Sequence, residues 1–179
     1  FDKFRHLHMI GYCSIYFYIL IFVCGGDVMD YDINRNTVMI IPINDKKSRV
    51  IETNGDYIVD DNAYSIMERS CLYFGSSYEG RLLSSKNILG SVYKAPIVVE
   101  ESRSIIFFPV KSSVVKQNVW ISLNNLVSYN KHEKKTIITF KRDKQVLLDI
   151  PYFSIDNQVL RSTLLESVIR RRKNEEKND

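Results

Sequence analysis

Apolar residues fall along this chain mostly as short runs or alternations, the period of half-buried and fully buried strands. Residues 37–43 (Thr-Val-Met-Ile-Ile-Pro-Ile) predict a strand that Asn44-Asp45 turns. Pro42 has no N–H to give a ladder, which places it on an edge strand or at a strand end. Residues 49–52 and 57–59 predict a hairpin around Asn54-Gly55, the strongest short turn signal here. Residues 97–100 and 105–108 predict two strands joined by Glu101-Ser-Arg-Ser104, and their apolar runs at 97–99 and 105–108 suggest burial on both faces. Strands follow at 119–123, 126–129 and 135–141, and Arg142-Asp143-Lys144 turns the last into a strand at 146–150.

Two stretches carry the helical period instead. Asn62 can cap a helix on which Ala63, Ile66, Met67 and Cys71 share one face, with Gly75 as the stop. After Pro151, Ser154 can cap a final helix. Its stripe of Ile155, Val159, Leu160, Leu164, Leu165, Val168 and Ile169 serves either as the lid of the sheet or as a dimer seam. Between the helices, Ser76 to Arg81 reads as a polar loop, and residues 84–91 are polar and undecided. The expected fold is α+β: a curved antiparallel β-sheet or small barrel, one internal helix, and a C-terminal helix packed on it.

The first 28 residues do not share this pattern. Lys3, Arg5 and two histidines precede an uncharged run at 9–24, so the segment imitates a signal peptide or a short membrane anchor. No small-x-small cleavage site follows. Gly25-Gly26-Asp27 would be encoded by a purine-rich stretch resembling a ribosome-binding site, placed just ahead of Met29. We therefore expect residues 1–28 to be a non-native leader of translated upstream DNA, residues 29–173 to be a single domain, and residues 174–179 to be a disordered tail.

Of three cysteines, Cys13 and Cys24 belong to the leader. Cys71 alone cannot form a disulfide within the domain, which suits a reducing cytoplasm. The net charge of +4 arises wholly after the leader, where Asp2 and Asp27 balance Lys3 and Arg5. A modest positive excess is compatible with an anionic partner.

One stretch is patterned beyond its secondary structure: Glu68-Arg-Ser-Cys-Leu-Tyr-Phe-Gly-Ser-Ser-Tyr-Glu-Gly-Arg81. Hydroxyl groups, a tyrosine and an arginine on a tight loop suit phosphate or base-edge contact. The stretch resembles the signature of the ComK competence transcription factors. The likeness continues through Lys94-Ala-Pro-Ile-Val-Val99, Ile106-Phe-Phe-Pro109, Ser112-Ser113, Trp120-Ile-Ser122, and Ser154 with Asn157-Gln158. It spans residues 31–165, departing where Ala95 replaces proline and Val110 a threonine-like residue.

The resemblance implies an activator of DNA-uptake genes that recognises A-run and T-run boxes, largely through the minor groove. It also implies a homodimer or dimer of dimers, recruitment of RNA polymerase, and control by an adaptor that delivers the protein to a Clp protease. The candidate DNA-binding residues are Arg69, Ser76, Ser77, Tyr78, Arg81, Lys86, Lys94, Lys111 and Lys116. No helix-turn-helix, zinc finger or basic zipper is apparent.

Enzyme readings fare poorly. The glycines around Ser77 are spaced one residue too far for a nucleophile elbow, and His132 is the only histidine of the domain. No nucleophile–base–orienter set can be assembled, and neither a metal nor a cofactor is expected. The alternative of another class is a β-rich interaction module that binds protein or anionic lipid head groups.

Overall fold

The computed structural model describes residues 31–90, 92–110 and 117–175. The expected leader, Lys111, Ser112, Ser113, Lys116 and the last four tail positions lie outside the described residues. Nine strands and three helices follow in the order β1 (Thr37–Asn44), β2 (Lys47–Glu52), β3 (Asp56–Val59), α1 (Ala63–Tyr73), α2 (Tyr78–Leu89), β4 (Ile97–Glu100), β5 (Ile105–Val110), β6 (Val119–Ser122), β7 (Leu126–His132), β8 (Lys135–Phe140), β9 (Gln145–Leu148) and α3 (Tyr152–Glu175) among the described residues.

Every strand pairing among the described residues is antiparallel. Six strands form one sheet in the order β3-β2-β1-β6-β5-β4, and β7-β8-β9 form a second. The large sheet ends at β3 and β4, so it is not closed into the small barrel held open by the sequence. Its central strands are buried on both faces because successive side chains point opposite ways. Ile40, Phe107 and Trp120 pack with Ile66, Met67, Cys71 and Tyr78 of the paired helices. Their neighbours Met39, Phe108 and Ile121 pack with Ile138 and Phe140 of the small sheet and Ile155 of α3. The result is three layers: helices, large sheet, then small sheet with α3. Asp56, bonded to both Arg49 and Lys144, ties the β3 edge to the turn before β9.

Several expectations need correction. β1 lies between β2 and β6, so of the two places expected for Pro42 the strand end holds and the edge does not. Pro42 is tolerated because it sits at the strand end: β6 pairs only with Met39 and Ile40, while Pro42 faces Ser48 of β2. There are two internal helices among the described residues, not one. The chain from Ser76 to Arg81 is a turn followed by the first turn of α2, not a loop. Gly75 takes φ +79° at the end of α1, and Ser76 N donates to Cys71 O (2.9 Å). Ser77 caps α2, its Oγ accepting from Gly80 N at 3.1 Å. A Cβ on Gly80 would lie 3.2 Å from that Oγ, so the cap would have to give by a few tenths of an ångström. Ser154 does not cap α3, since the helix starts at Tyr152. Asn174 and Glu175, expected in a disordered tail, are the helix's last residues.

The apolar stripe of α3 is divided. Ile155 and Leu165 are buried and Val159 and Ile169 partly so, together covering the sheet. Phe153, Leu160 and Leu164 are 74%, 61% and 54% exposed on another face.

Candidate nucleic-acid interface

The signature arginine stands on α2, where its helix meets the basic end of α3. Arg81 Nη1 lies 3.6 Å from Glu101 Oε2, and its side chain is only 19% exposed. From α3, Lys173 Nζ reaches the same carboxylate at 3.4 Å and also donates to Glu101 O at 2.7 Å. Arg172 and Ser84 line the same cavity. Three cations thus gather round one acid, leaving a positive excess. Arg81 Nε is buried and makes no hydrogen bond among the described residues.

The other sequence candidates do not join this cluster. Arg69 donates to Asp61 (2.9 Å) and to Tyr31 O (2.8 Å), and pairs with Asp32 at 3.4 Å, so it ties α1 to the chain ahead of β1. Ser77 is committed to its cap. Tyr78 is 6% exposed, edge-on to Trp120 with centroids 6.1 Å apart, and burial pushes its phenol up to about 12. Its part here is packing, not surface contact. Ser76 is half-buried in the interhelical turn, and Lys86 is exposed in the last turn of α2. Lys94, at φ +58°, lines a different cavity with Pro109, Ser154, Asn157, Gln158 and Arg161. Three separate pieces of the family-like pattern therefore converge there. Gln158 Nε2 donates to Lys94 O (3.2 Å) and Arg161 Nη1 to Tyr93 O (3.1 Å), so α3 fixes the approach to β4.

A third basic region was not foreseen from sequence. Arg35, Arg103 and Lys141 line a cavity of about 250 Å³ together with Asn34, Asn124 and Asn125. The three cations come from the turn before β1, the β4–β5 hairpin and the turn after β8. Asn125, almost fully buried, holds Arg35 and Lys141 in register. Its Nδ2 donates to Arg35 O (3.0 Å) and Thr37 O (2.9 Å), while its backbone oxygen accepts from Lys141 N (2.9 Å). Asn124 Oδ1 accepts from Ile106 N at 2.9 Å.

The hairpin carrying Arg103 is braced from within. Glu100 Oε1 accepts from Ser102 N (2.7 Å) and Ser102 Oγ (2.5 Å), and Oε2 from Arg103 N (2.7 Å). Burial works to raise this carboxyl, but those hydrogen bonds outweigh it and hold it below its ordinary range. Arg103 itself is 51% exposed. The only sequence signal for it was a lone arginine between two serines at a hairpin tip.

The sequence of this antiparallel α+β domain matches a known family. Residues 28–174 match the family model described as ComK protein, and the chain belongs to the ComK family. It is 35% identical over 141 residues to the competence transcription factor of Bacillus subtilis (strain 168), covering 76% of this chain and 73% of that protein. No solved structure matches. Among the described residues no helix is long and apolar enough to cross a membrane.

Proposed function

We propose that this protein is a competence transcription factor: a non-enzymatic, cytoplasmic activator that binds A·T-rich boxes in double-stranded DNA, mainly through the minor groove. The observation that carries this reading is the ComK family match over residues 28–174. The basic clefts supply the matching electrostatics. Runs of A·T narrow the minor groove and deepen its negative potential, which draws arginine in. Arg81 with Arg172 and Lys173, Lys94 with Arg161, and the exposed Lys86 are cations placed to neutralise backbone phosphates. Tyr78 and Ser77 support that surface by fixing α2 beneath it. Lys111 and Lys116 belong to the same reading from the segment between β5 and β6.

The active species in this reading is a homodimer, or a dimer of dimers across two boxes, that recruits RNA polymerase and is removed through a Clp adaptor. The exposed Phe153, Leu160 and Leu164 of α3 favour pairing between copies.

Gel shifts test the DNA reading. A·T-box duplexes should bind more tightly than G·C-box duplexes of equal length, with log Kd rising linearly with log salt. Absence of duplex binding at low salt by folded protein, with binding to anionic vesicles instead, would favour the lipid-binding module.

A further inference from the structure

We propose that the cleft lined by Asn34, Arg35, Arg103, Asn124, Asn125 and Lys141 reads the minor groove, with Arg103 as the inserted side chain and Arg35 and Lys141 gripping flanking phosphates. The inference rests on the DNA-binding reading above and names the residues that carry it.

Four observations converge. The first is charge: among the described residues three cations line the cleft and no carboxylate does, the nearest partner of Arg103 being Glu100, whose Oε2 lies 4.0 Å from Arg103 Nε behind the hairpin. The cluster around Arg81 differs, because Glu101 sits among its cations. Glu100 and Glu52 stand behind the cleft wall, and both are engaged. Glu100 accepts the Ser102 and Arg103 N–H groups, and Glu52 accepts Tyr31 Oη–H (2.6 Å) and Asn34 Nδ2 (2.7 Å).

The second is hydrogen-bond polarity. The minor-groove edge of A·T offers only acceptors, adenine N3 and thymine O2. Arginine and lysine offer only donors. The Asn124 amide adds another, because its oxygen is used by Ile106 N and its NH2 makes no hydrogen bond to the described residues. Guanine would present its own N2 amino donor to these groups, so the cleft discriminates against G·C.

The third is rigidity. Glu100 braces the hairpin, and Ser104 holds φ +53°, a left-handed conformation uncommon for a residue with a side chain. An arginine on a braced tip loses little freedom on entering a groove. The fourth is shape. Arg103 is the cation at the hairpin's tip, while Arg35 and Lys141 are held through the backbone by Asn125. A central probe with flanking cations suits a furrow bordered by two phosphate rows.

The test uses the full chain and fluorescence anisotropy on three duplexes of one length: an A·T box, the same box in G·C, and the same box in inosine·cytosine. Inosine·cytosine keeps the A·T-like minor-groove edge while presenting a G·C-like major groove. Wild type should bind A·T and inosine·cytosine alike and G·C more weakly. Arg103→Ala should lose roughly tenfold or more on A·T and most of its preference over G·C. Arg35→Ala and Lys141→Ala should weaken all three duplexes together, each lowering the log–log salt slope by about 0.9. Circular dichroism should show the wild-type fold for the exposed Arg103→Ala. If wild type binds A·T duplexes but Arg103→Ala retains both affinity and preference, this assignment is wrong while the DNA reading stands. If wild type binds no duplex at low salt, both fall together.

Discussion

Glu100→Gln isolates the brace of the β4–β5 hairpin. The side chain keeps its size, but one of two acceptor oxygens becomes an NH2 donor. Whichever way the amide turns, it faces either the Ser102 N–H and hydroxyl or the Arg103 N–H. At least one backbone donor then loses its acceptor, a loss of about 1–3 kcal/mol, and the remaining bonds lose their charge assistance. The pairing of Arg103 Nε with Glu100 at 4.0 Å is half-exposed and adds little. A total near 2–3 kcal/mol is expected, which for a domain of this size lowers Tm by roughly 4–12 °C. The pH dependence follows from the lowered carboxyl. Its contribution is fully present above the ordinary value of 4.5 and fades as pH falls through the depressed native value. The gap between wild type and Glu100→Gln should therefore be constant near neutrality and narrow in acid. Urea melts from pH 7 to pH 3 measure it, and hydrogen exchange at the Ser102 and Arg103 amides reads it locally. A gap under about 0.5 kcal/mol at pH 7, or one that does not shrink in acid, would refute the brace.

Three further outcomes are expected. Burial pushes the Cys71 thiol up to about 12 despite the nearby Arg81. Iodoacetamide at pH 8 should accordingly spare the Cys71 peptide in native protein and label it in urea, as peptide mass analysis will show. Tyr78→Ala should cost about 3–5 kcal/mol in urea melts, because it empties a site between α1 and Trp120. If copies pair through α3 as proposed, Leu160→Glu should shift dimer to monomer in light scattering with little change in Tm, since the side chain is exposed in the single chain.

The strands were readable because tight turns and buried runs coincide: the Asn54-Gly55 hairpin and the β4–β5 pair appear close to where the pattern puts them. α2 was not, because its inward face uses a serine. Tyr78 and Ser85 are its buried residues, and Leu82-Leu83 and Ile88-Leu89 come as adjacent pairs instead of at helical spacing. The stripe of α3 misled in a related way. Polar Gln158 and Ser162 face inward, Ser162 by donating its hydroxyl proton to Gln158 O (2.7 Å), while Leu160 and Leu164 face out. At the candidate site, Arg81 was named from a contiguous motif. Arg35, Arg103 and Lys141 are far apart along the chain, and the fold brings them to one cleft, with Lys141 held from beside the second sheet through Asn125 O.

α3 touches the rest of the domain at points spaced along its length: Asp156 receives Tyr129 Oη–H, Gln158 and Arg161 hold the Tyr93–Lys94 backbone, and Lys173 holds Glu101. The helix thus acts as a ruler with angular marks. Inserting one residue between Arg161 and Lys173 would rotate the far marks by about 100°, so Lys173 would miss the hairpin while the near contacts stayed in place. Inserting seven would restore the direction but overshoot by about 10 Å. The phase of a single helix therefore sets whether both ends of the basic surface stay aligned.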